Sequence, residues 1–300
     1  MITPKYLKPG DKIGLVAPSR SIDPIELKKA IQIFKSYKIN AVHGPNIFKK
    51  QNQYAGTDQE RAADIQEFLD NPEIKAIICV RGGYGSIRTL QHLNFEKFIK
   101  NPKWFAGYSD ITVFHSFINT NLGIETMHSP MPFNFVKEDA DDESIALFID
   151  LLFGKVPEYH FESHNLNCDG TAKSILTGGN LSVLYSLRGT PADIDTKNKI
   201  LFIEDLDEYL YHIDRMMMNL KYGNKLSGLK GVLVGEFSDM KDNAVPFGKN
   251  AYEIIADIFS KMKIPICFGF NAGHGKKNWP LIMGRKVVLE VGKSCNLKFV

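Results

Sequence analysis

The chain lacks any run of about 18 consecutive apolar residues, so no membrane-spanning helix is predicted. Its opening residues, MITPKYLKPGDKIGLVAPS, lack the charged start, apolar stretch and small-residue cleavage site of a secretory leader. Charge of one sign is also scarce: 37 Lys and Arg against 34 Asp and Glu leave a net of +3. Basic doublets such as Lys49-Lys50 and Lys276-Lys277 are too short to suggest nucleic acid as a partner. Cysteine is rare, and none of Cys79, Cys168, Cys267 and Cys295 forms a C-x-x-C pair. That argues against a disulfide framework or a zinc knuckle. Cys79 and Cys267 sit in apolar, strand-like runs, where a free thiol packs as a small hydrophobe. A reducing, cytoplasmic setting is expected; a leader trimmed from the sequence would leave a periplasmic one open.

What is present is ordinary globular composition, 44% hydrophobic and 24% charged, over a length suited to two cores meeting at a cleft. Strand and helix signals alternate in the first half. KIGLVA at 12–17 is a short apolar run stopped by Pro18. Helical spacing of Ile25, Leu27, Ala30, Ile31 and Phe34 predicts a helix over 24–37 with Asp23 as N-cap. A second helix is predicted over 57–69. IKAIICV at 74–80 has the β-branched density of a strand buried on both faces. A strand at 104–108 and a helix over 110–121 follow. This alternation predicts an α/β fold with a mostly parallel sheet covered on both sides. The pattern weakens from about 139 to 171. We therefore expect a first domain over 1–155, a linker at 156–172 and a second domain over 173–300. The second half restarts at 176–187. Strands are then expected at 199–203, 231–237, 265–270, 286–291 and 297–300, with helices over 207–222 and 250–262.

Two turns carry candidate chemistry. In FAGYSDIT at 105–112, a strand ends, a glycine allows a tight turn, Ser109 follows and a helix begins. A serine there is lifted out at the carboxyl edge of the sheet, where open α/β sheets bind ligands. The Asp110 amide, in the first helical turn, is available to an oxyanion. The pattern G-Y-S-D departs from the G-x-S-x-G elbow, and from this segment alone a helix N-cap is the commoner use of such a serine. The second turn is Arg81-Gly82-Gly83-Tyr84-Gly85-Ser86. Its glycines let a backbone approach a ligand closely, and Gly83 is a candidate second oxyanion donor. It matches neither dinucleotide-binding nor phosphate-loop glycine patterns, and no cofactor is predicted. Ser86 is a rival nucleophile.

A serine nucleophile needs a base, and the base an orienting carboxylate. No H-E-x-x-H or comparable cluster exists, so no metal is expected. Of eight histidines, His43, His92, His115 and His212 fall on or beside regular elements. His160 and His164 share i, i+4 spacing in a segment that is not helical. His274, between two glycines, and His128, after a short strand, remain. Glu204 terminates the apolar run KILFI and is the leading acid, with Asp205 and Asp207 as competitors. All three also suit a helix start, where the dipole favours negative charge.

Taken together, the segments GDKIGLVAPS (10–19), RGGYG (81–85), GYSDIT (107–112), GGNLSVLYSLRGTP (178–191), IEDLDEYLYHIDRMMMNL (203–220) and GHGKKNWPLIMG (273–284) resemble the LD-carboxypeptidases. These serine peptidases include muramoyltetrapeptide carboxypeptidase. The six segments stand in the family's order and run nearly end to end. The resemblance implies Ser109 as nucleophile, Glu204 as orienting acid and His274 as base. Asp110 and Gly83 would then hold the oxyanion, and Arg81, Gly82 and Tyr84 would meet the substrate. It implies a flavodoxin-like or amidotransferase-like parallel sheet in the N-terminal domain, a smaller mixed α/β C-terminal domain, and a homodimer. The implied activity is release of a terminal D-alanine from a peptidoglycan peptide. A self-immunity peptidase acting on a peptide–nucleotide antibiotic is the nearest alternative, and a non-catalytic binding protein a more distant one. After the histidine, Leu281-Ile282-Met283 departs from the family's proline-containing run. An exopeptidase also needs a cation for the free carboxylate, for which Arg81 and Lys276 are candidates.

Overall fold

The computed structural model describes residues 1–300. Short apolar runs separated by capped helices condense into two sheets. The first is built from β1 (Lys12–Val16), β2 (Asn40–His43), β3 (Ile74–Cys79), β4 (Trp104–Gly107) and β5 (Thr126–His128). Their spatial order is β2-β1-β3-β4-β5, all parallel. That order is flavodoxin-like, and the chain changes direction across the sheet between β1 and β3, opening a crevice at their carboxyl ends. The helices Pro24–Ser36 and Asp58–Asp70 start at Asp23 and Thr57, each closed by a capping box with Glu26 and Glu60. The helix expected over 110–121 is broken instead into a 3₁₀ turn (Ser109–Ile111), an α-helix (Thr112–Phe117) and a π turn (Ile118–Leu122).

The second sheet contains β6 (Glu158–Glu162), β7 (Gly170–Asn180), β8 (Ile200–Leu206), β9 (Gly231–Ser238), β10 (Ile266–Cys267), β12 (Lys286–Val291) and β13 (Ser294–Phe299). Its order is β10-β9-β8-β7-β12-β13-β6. The run from β10 to β7 is parallel, and the remainder is antiparallel. The stretch 156–172 thus includes an edge strand of this sheet. The helices Leu210–Tyr222 and Ala251–Phe259 cover its parallel part.

The two halves are tied together. β11 (Leu281–Met283), from late in the chain, adds antiparallel to β5 at the edge of the first sheet, pairing Leu281 with His128. One continuous apolar core runs from Ile13, Ala76 and Met127 in the first sheet to Leu176, Phe202 and Leu233 in the second. Burying a large side chain such as Phe202 is worth about 1.5–3 kcal/mol. No helix is long and apolar enough to cross a membrane.

Candidate active site

The nucleophile candidate is fixed by backbone geometry. Ser109, directly after β4 and Tyr108, has φ 65°, in the left-handed region that a non-glycine residue enters at a cost of about 1–3 kcal/mol. Its hydroxyl caps no helix and makes no hydrogen bond within the protein; Tyr108 holds the N-cap position of the 3₁₀ turn. Asp110, the next residue, is buried and turns its carboxylate away from the cavity. It accepts hydrogen bonds from the Ser86 amide at 2.8 Å and from the Ser19 hydroxyl. Burial pushes its carboxyl pKa up despite these donors. Ser86 is therefore a buried member of this clamp and not a cavity residue, which removes it as the rival nucleophile. Gly82 packs so near that an added Cβ would stand 2.9 Å from Ser109 Cβ and 3.1 Å from its Oγ.

The candidate acid and base come from the other sheet. Glu204 ends the apolar part of β8 and is completely buried. His274 follows β10, and its Nδ1–H donates to Glu204 Oε2 at 2.7 Å. An added Cβ at Gly273 (φ 131°) would lie 2.9 Å from that same oxygen, so the loop approaches the acid this closely only as glycine. The Gly273 amide donates to Asn278 Oδ1 at 3.1 Å, holding the loop closed. The Tyr108 ring lies 4.8 Å from the imidazole, centroid to centroid. Burial by itself would lower the His274 pKa, but the charge and hydrogen bond of Glu204 outweigh it and leave it raised.

The competing residues sort themselves by environment. His128 is buried, with Nε2 3.2 Å from Asn278 Oδ1 and its ring edge-on to Phe202, and no carboxylate reaches it. Burial holds it well below the usual imidazole range. His115 is likewise buried: its Nε2–H donates to the Gly107 carbonyl at 2.8 Å, and Nδ1 accepts from the Thr126 hydroxyl at 2.9 Å. Asp205 makes no hydrogen bond to His274 and accepts from Asn180 Nδ2 and the Ser182 and Leu206 amides, each at 2.9 Å. Burial and the Glu204 charge push its pKa up to about 7. Asp207 pairs with Lys241 at 2.6 Å.

Ser109 and His274 line one cavity of about 400 Å³ between the carboxyl edges of the two sheets. No hydrogen bond joins them; such contacts commonly tighten only when substrate is bound. Arg20, Arg81, Gly82, Gly83, Tyr84 and Asp205 share the lining. Lys276 lies instead against a neighbouring small cavity with Asp139 and Asp141. A larger cavity, about 550 Å³ beside the Glu125–Arg285 pair, is lined by no serine, cysteine or histidine. Nowhere do three or more metal-ligating side chains cluster. Sequence reasoning passes over Arg20, Asn180 and Asn278. Their only local signal is that each is a polar residue close behind or within a stretch that leads to a sheet edge.

Frame and site together define a hydrolase of the serine carboxypeptidase class. Signatures described as the LD-carboxypeptidase N-terminal domain and the LD-carboxypeptidase C-terminal domain match residues 13–129 and 173–289, and the chain belongs to that family. It is 35% identical to the protein named "Probable murein peptide carboxypeptidase" of Bacillus subtilis (strain 168), over 97% of this chain and 92% of that one. Among solved structures, the muramoyltetrapeptide carboxypeptidase from Oxalobacter formigenes superposes with a TM-score of 0.88 at 29% identity, covering 96% of this chain and 98% of the other. A mutant microcin C7 self-immunity protein in complex with adenosine monophosphate shares the fold. Its TM-score is 0.88 at 23% identity, over 99% of this chain and 98% of that one.

Proposed function

We propose that this protein hydrolyses the bond between an L-configured centre and a terminal D-alanine in peptidoglycan tetrapeptides. The observation that carries the reading is the buried Glu204–His274 hydrogen bond, 2.7 Å, beside a serine held at φ 65° on the same cavity. Ser109 Oγ attacks the scissile carbonyl carbon while His274 Nε2 accepts the serine proton. Glu204 holds the proton-bearing Nδ1 and stabilises the imidazolium. The amides of Gly83 and Asp110 receive the oxyanion, at roughly 3–4 kcal/mol per donor. Collapse breaks the C–N bond, His274 returns the proton to the leaving amine, and D-alanine departs. Water then repeats the sequence on the acyl-enzyme. Arg81, Gly82 and Tyr84 are assigned to substrate contact. In this reading 1–155 carries the nucleophile, 173–300 carries acid and base, and 156–172 links them.

Relatives named for murein peptides support this substrate class. The self-immunity fold match keeps a peptide–nucleotide amide as the substrate to assay alongside it. Tyr185, the one aromatic of 178–191, stacks edge-on with His212 rather than lining the cavity, which supports the murein reading. Four free thiols suit a reducing cytoplasm, and a homodimer follows the family. The test is D-alanine release from a purified muropeptide tetrapeptide, read by mass spectrometry, with Ser109→Ala as control. Release by wild type alone supports substrate and nucleophile together. Failure of the folded wild type, with turnover of the nucleotide conjugate, transfers the assignment to the immunity reaction.

A further inference from the structure

The cavity that holds Ser109 and His274 carries two guanidinium groups that no carboxylate neutralises. The chain has seven arginines. Arg61, Arg88, Arg188 and Arg285 are each paired with an acid, and Arg215 lies over the Tyr211 ring. The remaining two, Arg20 and Arg81, both line this cavity. The acids that share the lining are already engaged. Asp207 is bound to Lys241 and Asp205 to three hydrogen-bond donors, and neither reaches an arginine.

Both arginines are held in place. The Arg81 guanidinium lies 4.2 Å over the Phe133 ring, a stacking that fixes its plane and leaves its N–H edge for a ligand. The Arg20 stem packs along the glycine turn, so closely that a Cβ added at Gly83 would stand 2.6 Å from Arg20 Cγ. Its neighbour Ser19 is buried and donates to Asp110, the residue directly after Ser109. One hydrogen bond therefore fixes the root of Arg20 relative to the nucleophile. Arg20 follows β1 and Arg81 follows β3, so the two flank the crevice at which the strand order reverses, the usual ligand position in an open α/β sheet.

We propose that Arg20 acts with Arg81 as the receptor for the substrate's terminal carboxylate, and that Arg20 is thereby a determinant of exopeptidase specificity. The proposal rests on the carboxypeptidase reading. Planar guanidinium groups match a carboxylate with paired, charge-assisted hydrogen bonds. A substrate lacking that charge would leave two cavity cations unpaired, which is how a site rejects a near-isosteric analogue.

The experiment compares four tetrapeptides: the free acid and its C-terminal amide, each with diaminopimelate or lysine as third residue. Wild type, Arg20→Met, Arg20→Lys and Ser109→Ala are assayed with each. We expect wild type to favour acid over amide by about 10- to 100-fold in kcat/KM, the worth of one or more charged hydrogen bonds. Arg20→Met should bring that ratio to within a few-fold, chiefly through KM on the acid, and Arg20→Lys should fall between. Arg20 is exposed, so its variants should melt with wild type. Unchanged acid-over-amide discrimination in Arg20→Met overturns the proposal. So does a loss confined to diaminopimelate peptides, which would assign Arg20 to the third residue's carboxylate. If wild type cleaves none of the four, releasing neither D-alanine from the acids nor D-alaninamide from the amides, it is the carboxypeptidase reading that fails.

Discussion

Glu204→Gln separates the electrical role of the buried acid from its shape. Glu204 is fully buried, and while one carboxylate oxygen, Oε2, accepts a hydrogen bond from His274 Nδ1–H at 2.7 Å, the other, Oε1, has no partner. Its charge is felt widely: burial and Glu204 together push the carboxyls of Asp205 and Glu236 up. An amide of the same shape keeps the packing but removes the charge that steadies the imidazolium and its tautomer. Comparable changes in a serine triad lower kcat by about 10⁴-fold, so a loss of roughly 10³- to 10⁴-fold, about 4–5.5 kcal/mol, is expected here. The pH profile should move as well. The imidazolium cannot accept the serine proton, so activity emerges as pH rises through the His274 pKa. Glu204 holds that pKa raised against burial, and its loss should shift the acid limb to lower pH. Stability gives a third reading. A raised histidine pKa contributes stability that is complete below the ordinary imidazole value and is lost as pH rises through the folded-state value. Above it, wild type retains a buried anion beside a neutral ring. The Tm advantage of wild type over Glu204→Gln should therefore shrink or reverse from pH 6 to pH 9. The assays are a kcat/KM profile and calorimetric melting over that range. A variant within tenfold of wild type, or an unmoved acid limb, refutes the reasoning.

Two further outcomes follow from the geometry. Ser109→Gly should abolish turnover yet raise Tm by roughly 1–3 °C, because glycine occupies φ 65° without the strain that serine bears; no rise in calorimetry would mean the elbow is unstrained. His115 is buried with its pKa pulled down to about 4, so the unfolded chain binds a proton that the folded one refuses between about pH 6.5 and 4. Stability should fall by on the order of 3 kcal/mol as pH drops through that window, and His115→Gln should flatten the decline in urea titrations at pH 7 and 4.5. His128, also held neutral by burial, keeps part of the slope in place.

Much of the frame is legible as local pattern. The capped helix after Asp23, the buried strand from Ile74 and the strand at Lys286–Val291 each announce themselves through periodicity or β-branched density. β2 does not: NAVH is short, mostly exposed and has no apolar alternation to read. β11 is three residues long and finds its partner at Met127 and His128, more than 150 positions away, a pairing that no window of sequence contains. The helix after Ser109 has helical spacing, but the left-handed serine tightens its first turn and Gly123, at φ 65°, closes a widened last one.

The site divides along the same line. Parallel strands all end on one side of their sheet, so a polar residue just past an apolar run is delivered to the carboxyl edge whichever strand it follows. Arg20 after KIGLV, Arg81 after IKAIIC, Ser109 after WFAG, Glu204 within ILFIEDL and His274 behind IC all obey that rule. His128 at the end of TMH obeys it too, which is why sequence alone leaves two histidines standing. What separates them is three-dimensional. β11 and the Asn278 side chain close over His128, while Gly273 lets His274 reach Glu204 on a strand 70 residues earlier. Position along a strand is a local property and can be read; which strand ends face each other depends on how two sheets dock, and only the fold decides it.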